Sequence, residues 1–450
     1  AQALRAGMDL EAPGDYGFGA ALLDLVSRGE VSADLVDRAV ERILRVKFLA
    51  GVFDRPWADP KAAARVVNAP AHRALARQAA QESIVLLKNA KDLLPLSPDL
   101  GSIAVIGPNA AVARFGDYSC SKDSAVTPLA GIRAAVSRKT LVRYAAGCGL
   151  FELNQDGFAE AVEAARQSEA AVVFLGGASA IMAGVGWGHD RRNCTCGEGF
   201  DRSELGAPGV QEDLVKAVLA TGTPTVVVMV HGRPWSIDWM AEHVPAIVEA
   251  WYPGEEAGNA LADVLFGKAN PSGRLSISVP RSVGHVPAFY NHKPSARGCY
   301  HKPGAPGAPG RDYVFSQTTP LYPFGHGLSY TTFKYSALKA SPRRVAPGGR
   351  VEVSVKVRNT GKRAGKEVVQ LYVNDVVSSV TTPVKALRGF AKVDLKPGEA
   401  QDVRFTLGPA DMELLDENMN WVVEPGEFEV MVAGLKTSFF VKDPDRMGRP

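Results

Sequence analysis

The chain has 450 residues, 46% of them apolar and 22% charged, with a formal net charge of +3. That balance excludes a disordered or fibrous chain, and it leaves neither a basic footprint for nucleic acid nor an acidic tail. No stretch approaches the ~20 consecutive apolar residues of a membrane span, so neither nucleic acid nor a membrane is an expected partner. The length allows two or three domains.

Residues 1–56 read mainly as helix. Leu35, Val36, Ala39, Val40, Ile43 and Leu44 recur at helical spacing, Ser32 can cap the start, and Gly51 ends the run. One helix with an apolar stripe is not a domain with its own core, so this segment needs a partner. The chain starts with Ala1, without an initiator Met or a signal sequence, and a processed chain or a fragment is therefore expected. Residues 57–75, with Pro60 and Pro70, suit a linker.

Residues 76–280 have an alternating rhythm. After a helix over about His72–Asn89 come the apolar runs Ser102–Ile106, Ala171–Leu175, Thr225–Val230, Ala246–Glu249 and Leu275–Val279. Helical patterns lie between them, near Phe158–Gln167, Val210–Ala220 and Glu255–Phe266. Short, wholly apolar strands separated by helices predict an α/β sandwich with a mostly parallel sheet, whose ligands bind outside the carboxyl ends of the strands. Residues 281–333 are crowded with proline and glycine and read as a linker or long ordered loop. From 334 to about 445 the period becomes two. Val351, Val353, Val355 and Val357 alternate with polar residues, as do Val369–Val373, Val403–Leu407 and Phe428–Val432. About seven short strands over such a length predict a β-sandwich of fibronectin type III or immunoglobulin-like architecture.

The most informative segment is Gly197-Glu198-Gly199-Phe200-Asp201-Arg202. A carboxylate between two glycines sits on exposed, permissive backbone, which suits a side chain that must reach a reacting atom; alone, the pattern is more often just a solvated turn. Asp201 and Arg202 fit a role in fixing that loop. His189, Cys194 and Cys196 fall short of the four ligands a structural zinc site needs. The five cysteines, Cys120, Cys148, Cys194, Cys196 and Cys299, are too few for a disulfide framework. Gly176-Gly177 lacks the rest of a nucleotide fingerprint. No metal or organic cofactor is expected. Of the tryptophans Trp187, Trp235, Trp239 and Trp251, only Trp187 lies on an evident loop, where it could stack against a sugar.

The chain resembles glycoside hydrolase family 3 at many separated places. Ala6-Gly7-Met8-Asp9-Leu10-Glu11-Ala12-Pro13-Gly14 is similar to the stretch after the nucleophile segment of the family's barrel domain. Gln81–Asn89 with Leu94-Pro95-Leu96 resembles the start of its second domain, and Val105–Ala110 with Gly116-Asp117-Tyr118 its first strand and following loop. Gly254–Gly258, Asn270–Leu275 and Tyr322–Tyr330 follow in the family's order. The resemblance implies a retaining exo-β-glycosidase, β-glucosidase first and β-xylosidase or arabinosidase second, acting on an oligosaccharide or β-glycoside. A retaining glycosidase needs two carboxyl groups flanking the scissile bond. By resemblance Glu198 is the general acid/base. Asp117 and Ser119 lie in a loop that in relatives contacts the sugar, although a turn or capping role fits them equally. The nucleophile Asp belongs to a barrel segment that is not among these residues, so a missing barrel segment or a second chain is an expected partner. The resemblance also implies a secreted or periplasmic setting. Tyr322–Tyr330 is aromatic and apolar, unlike a flexible tether, and is expected to be buried where two domains meet.

Overall fold

Six strands form the central sheet of the computed structural model: β1 (Val85–Asn89), β2 (Ser102–Ile106), β3 (Leu141–Ala145), β4 (Ala170–Gly176), β5 (Thr225–Val230) and β6 (Ala246–Glu249). Their spatial order is β1-β6-β5-β4-β2-β3, with every neighbouring pair parallel except β1 and β6. The structure describes all residues except 13, 15, 117, 120–123, 180–193, 295–315 and 443–450. By packing, the chain divides into two units, Ala1–His72 and Arg73–Pro450.

The first unit holds helices α1 (Gln2–Arg5), α2 (Ala20–Ser27), α3 (Ala33–Leu49) and α4 (Pro60–Val66). The Ser32 hydroxyl accepts from the Asp34 N–H and caps α3, and Gly51 follows its end at φ +69°. A small core of Leu4, Leu22, Val31 and Ala39 collects one side of α3 through Leu35 and Val36. Val40, Leu44 and Phe48 of the same helix remain exposed. The expected linker at 57–75 contains α4, which Asp59 caps and Pro60 starts.

In the second unit, side chains alternate across the sheet. Val85, Leu87, Ile106, Val173, Leu175, Val227, Met229 and Ile247 face one layer, with helices α7 (Phe158–Arg166), α8 (Gln211–Leu219) and α9 (Asp238–His243). Leu86, Ile103, Val105, Val172, Phe174, Val226 and Val248 face the other, with α5 (Pro70–Ser83), α6 (Pro128–Ala135) and α10 (Ala257–Leu265). Each such side chain contributes roughly 1.5–3 kcal/mol on full burial. This is the predicted α/β sandwich, with three local corrections. The helix expected to run to Asn89 ends at Ser83, because Val85–Leu87 is buried on both faces as the antiparallel edge strand β1. The run Leu275–Val279 is not a strand of the sheet. It lies beside the later segment 321–326, exchanging N–H···O bonds between Leu275 and residues Gly325 and His326, and between Val279 and residues Leu321 and Tyr322. Strand β3 was not expected: it is an edge strand with Leu141 and Tyr144 exposed, so it lacks the apolar run of a central strand.

Ten strands follow: β7 (Phe333–Ser341), β8 (Arg344–Val345), β9 (Val351–Asn359), β10 (Gly365–Asp375), β11 (Ala386–Leu395), β12 (Ala400–Leu407), β13 (Leu414–Leu415), β14 (Trp421–Val422), β15 (Gly426–Val432) and β16 (Leu435–Val441). The short helix α11 (Pro409–Met412) precedes β13. One sheet runs β11-β10-β15-β16-β8 and the other β12-β9-β7. The period-two valines of β9 meet Val369, Leu371, Phe428, Val430 and Phe439 in a single core, a fibronectin type III-like sandwich.

The sandwich is docked, not tethered. Tyr322 is buried, the Tyr330 hydroxyl donates to Val264 O at 2.8 Å, and the Phe324 ring stacks on Tyr290 at 4.1 Å. Across the seam Arg274 pairs with Glu367 at 2.5 Å, which also accepts from the Tyr335 hydroxyl at 2.7 Å. Glu82 receives Lys366 and Lys392, at 2.5 and 2.9 Å.

Candidate active site

Because β2, β4, β5 and β6 run parallel, their carboxyl ends share one edge of the sheet, and the loops leaving them converge there. Two buried amides fix the strand ends. Asn109 Nδ2 donates to the carbonyls of Leu175, Gly177 and Val230, at 3.2–3.4 Å, and its Oδ1 accepts from Arg114. Gln211, on α8, accepts from Gly176 N–H at 2.8 Å and donates to Leu150 O and Gly176 O. Gly176 adopts φ +152°, and a Cβ there would lie 1.9 Å from Val230 O. Only glycine lets β4 end this close to β5.

The chain returns at Thr195 and Cys196, which lie against the end of β4. Thr195 N–H donates to Ala178 O at 2.9 Å, and Cys196 pairs in a bridge with Ser179. The thiol of Cys196 is 2.9 Å from the Tyr252 hydroxyl, beyond β6. Gly197–Phe200 then forms a turn closed by Phe200 N–H to Gly197 O at 3.1 Å, with Gly199 at φ +76°. A third turn position at positive φ requires glycine or its like, and the turn carries Glu198 at its exposed corner. The Tyr118 hydroxyl, from the loop after β2, donates to Glu198 Oε2.

Arg233 is the clamp of this turn. It lies just past β5 and donates to Phe200 O at 2.7 Å and Gly197 O at 3.4 Å, and it is 3.4 Å from Asp201 Oδ1. Arg202 does not pair with Asp201. Its guanidinium donates to Gly206 O at 2.6 Å and lies 5.7 Å from the Trp235 ring centre. Burial, reinforced by the charge of Arg233, lowers its pKa from the ordinary arginine value. Beneath, Trp235 stacks on His231 at 4.3 Å, and His231 Nε2 is 3.1 Å from Glu249 Oε2. Of the two loop residues expected to fix the turn, Asp201 meets Arg233 only at the exposed surface and Arg202 bonds to Gly206 O beyond the turn; the turn's own carbonyls are held by Arg233.

The predicted site residues are placed unequally. Glu198 stands at the sheet edge. Ser119 donates its hydroxyl to Gly116 O at 3.0 Å, a turn-closing contact. Asp117, Trp187 and His189 lie outside the described residues. Trp235 is buried as core, and Trp251 sits at φ +55° with its N–H on Glu249 Oε1. Two participants were not singled out from sequence. Tyr118, 80 residues from Glu198, was read only as part of its loop. Arg233 had one local signal, an arginine followed by proline directly beyond a strand end.

The family profile for the glycosyl hydrolase family 3 C-terminal domain matches residues 84–330, and that for a fibronectin type III-like domain matches residues 367–435. The chain belongs to glycosyl hydrolase family 3. It is 40% identical to a β-xylosidase of Formosa agariphila over 91% of its own length and 55% of that protein's. It is 38% identical to a periplasmic β-glucosidase of Salmonella typhimurium, covering 96% and 58%. Among solved structures, a β-glucosidase from Erythrobacter marinus superposes with a TM-score of 0.85 at 40% identity, over 98% of this chain and 59% of that one. A Listeria innocua β-glucosidase in complex with isofagomine superposes with 0.83 at 32% identity, over 98% and 59%. The chain thus spans a little over half the length of the relatives it matches.

Proposed function

We propose that this chain forms the carboxyl-terminal part of a retaining exo-β-glycosidase that releases terminal β-linked sugars, with β-glucosidase as the leading specificity. Glu198 is the general acid/base. In the first step it gives its proton to the glycosidic oxygen while an aspartate carboxylate attacks the anomeric carbon and the leaving alcohol departs. In the second step the Glu198 carboxylate takes a proton from water, whose oxygen displaces the aspartate from the sugar with net retention. The nucleophile comes from a barrel segment or second chain outside these residues, and the exposed apolar side of α3 would pack within it. Asp117, Ser119 and Trp187 are the candidate sugar contacts.

The observation that carries this reading is the exposed Glu198 at the carboxyl edge of the sheet, on a glycine turn that Arg233 holds by its carbonyls. Tyr118 gives the carboxylate a hydrogen-bond donor from the opposite loop. The likeness to the Formosa enzyme favours β-xylosidase as the second reading. A panel of aryl β-glucosides, β-xylosides and α-arabinosides, assayed on the polypeptide extended through its barrel, decides between them. Hydrolysis of none, with the barrel present, would leave a carbohydrate-binding or accessory chain.

A further inference from the structure

A cavity of about 360 Å³ opens at one end of the β-sandwich. That volume lies at the small end of the range for small-molecule sites. Its apolar floor includes Phe428 and Leu414, 1% and 7% exposed. Its walls mix apolar and polar side chains. Asp375, the last residue of β10, encloses its Oδ2 atom within the protein, where no described donor meets it. The Arg388 guanidinium, on β11, makes no hydrogen bond or ion pair among the described residues. The Thr382 hydroxyl is 3.1 Å from that of Ser378 and keeps further hydrogen-bonding capacity. Trp421 of β14 also lines the cavity, yet is 67% exposed.

Each feature narrows the ligand. An enclosed carboxylate oxygen without a donor is costly, and a hydroxyl of a ligand would satisfy it. An anion would meet three carboxyl groups, Asp375, Asp411 and Glu413, against the two cations Lys293 and Arg388. A metal ion would want several grouped acidic or imidazole ligands, and the described residues contain no such group. A wholly apolar ligand would leave both Asp375 and Arg388 unpaired. What remains is a neutral molecule with many hydroxyls and one apolar face. A pyranose ring has that character: its C–H face suits an indole, and its hydroxyls both donate and accept.

We propose that this cavity is a saccharide-binding site of the β-sandwich, which takes a sugar unit of an oligosaccharide on Trp421 and pairs it with Asp375 and Arg388. None of its residues belongs to the Glu198 loop, and the inference does not rest on Glu198 being the acid/base. The site would hold a polymeric or oligomeric substrate on the same molecule that carries the candidate active site, raising its local concentration there.

The test is calorimetric titration of the full chain with cellotetraose and, separately, xylotetraose, beside Trp421→Ala, Arg388→Ala, Trp421→Phe and Glu198→Gln. The expected result is binding of at least one tetrasaccharide, weakened at least ~10-fold by Trp421→Ala and by Arg388→Ala. Trp421→Phe, which keeps an aromatic face, should stay within about 3-fold of the parent, and Glu198→Gln should bind as the parent does. Both side chains replaced by alanine are exposed, so the variants should retain the parent's unfolding midpoint. Absence of binding of both sugars up to about 10 mM, a regime already weaker than ordinary recognition, would overturn the proposal. So would parental affinity in both alanine variants, or binding lost only in Glu198→Gln.

Discussion

Glu198 and Glu367 lie in the same unit, and their surroundings are opposite. Glu367 is buried in the seam between the α/β domain and the β-sandwich, gripped by the Arg274 guanidinium and the Tyr335 hydroxyl. Glu198 stands exposed on a glycine turn, with a phenol as a partner and its support arriving through the backbone carbonyls on either side. The first arrangement commits a carboxylate to holding two domains together. The second fixes where a carboxylate stands while leaving its oxygens accessible to a reacting group. Side-chain partners thus commit Glu367 to structure, whereas support through the backbone leaves Glu198 suited to the acid/base role proposed for it.

The largest way to break the contrast is at the seam. Arg274→Ala leaves Glu367 buried beside a lost cation, and breaking such a pair costs about 3–5 kcal/mol. The expected outcome is a clear fall in the unfolding midpoint, measured by calorimetry. The pair Arg274→Met with Glu367→Leu removes both charges and should recover most of that loss. Failure of the double variant to recover would show that the hydrogen bond of Tyr335 matters more than the ion pair.

Glu198→Gln, in the complete enzyme, should leave the fold intact and cut turnover of substrates with poor leaving groups by at least ~100-fold. Aryl glycosides with a nitrophenol leaving group need little protonation, so their first step should persist, and azide should rescue the second. Equal losses for both substrate classes without rescue would assign the acid/base elsewhere.

Sequence patterns reached these features unevenly. The central strands were legible because β4 and β5 are buried on both faces and leave unbroken apolar runs. Strand β1 hid inside a helical pattern, since Gln81–Asn89 continues the spacing of α5 without a break. The two glycines marked Glu198 as standing on an exposed turn, while its proposed role came only from the family resemblance. Arg233 was not legible, because its partners are carbonyl oxygens, and those belong to every residue and leave no side-chain signature. Glu367 was equally silent: it stands on the inward face of β10, in step with Val369 and Leu371, and its partners Tyr335 and Arg274 come from distant parts of the chain.

Arg233→Ala sharpens the comparison from the other side. It should loosen the turn and lower turnover of poor-leaving-group substrates about 10-fold, as small misplacements of a catalytic group do. The unfolding midpoint should move little, and Arg233→Lys, a point charge without the fork, should recover only part of the rate. A variant that lost stability but kept the leaving-group profile of the parent would make Arg233 a structural residue.

The smallest effects are in pH dependence, and two carboxyl groups should give slopes of opposite sign. Burial would raise Glu82, but hydrogen bonds from Lys366, Lys392 and Gln78 outweigh it and hold the group at about 2. Its unfolded value is higher, so its contribution is present above about pH 4.5 and is lost as pH falls toward 2. Burial, with help from the charge of Glu424, pushes Asp375 up to about 6. Its folded state favours the proton, so stability is lost as pH rises from 3.8 toward 6. Glu82→Gln should flatten the first slope and Asp375→Asn the second, in unfolding midpoints measured across pH 2–7. Parallel curves for parent and variants would refute the assignments.

The paired segments at the domain junction bear on how this protein can vary. Val279 and Tyr322 hold each other by an N–H···O bond of 2.8 Å, with Leu275 and Gly325 repeating the contact at 2.7 Å. The intervening chain leaves and returns at one doorway that is latched on both sides. Doubling the length of a chain between fixed ends costs only about 0.6 kcal/mol. A change of chain length that spares the contacts of Tyr290, His292 and Thr318 should therefore leave the mutual seating of the two domains in place.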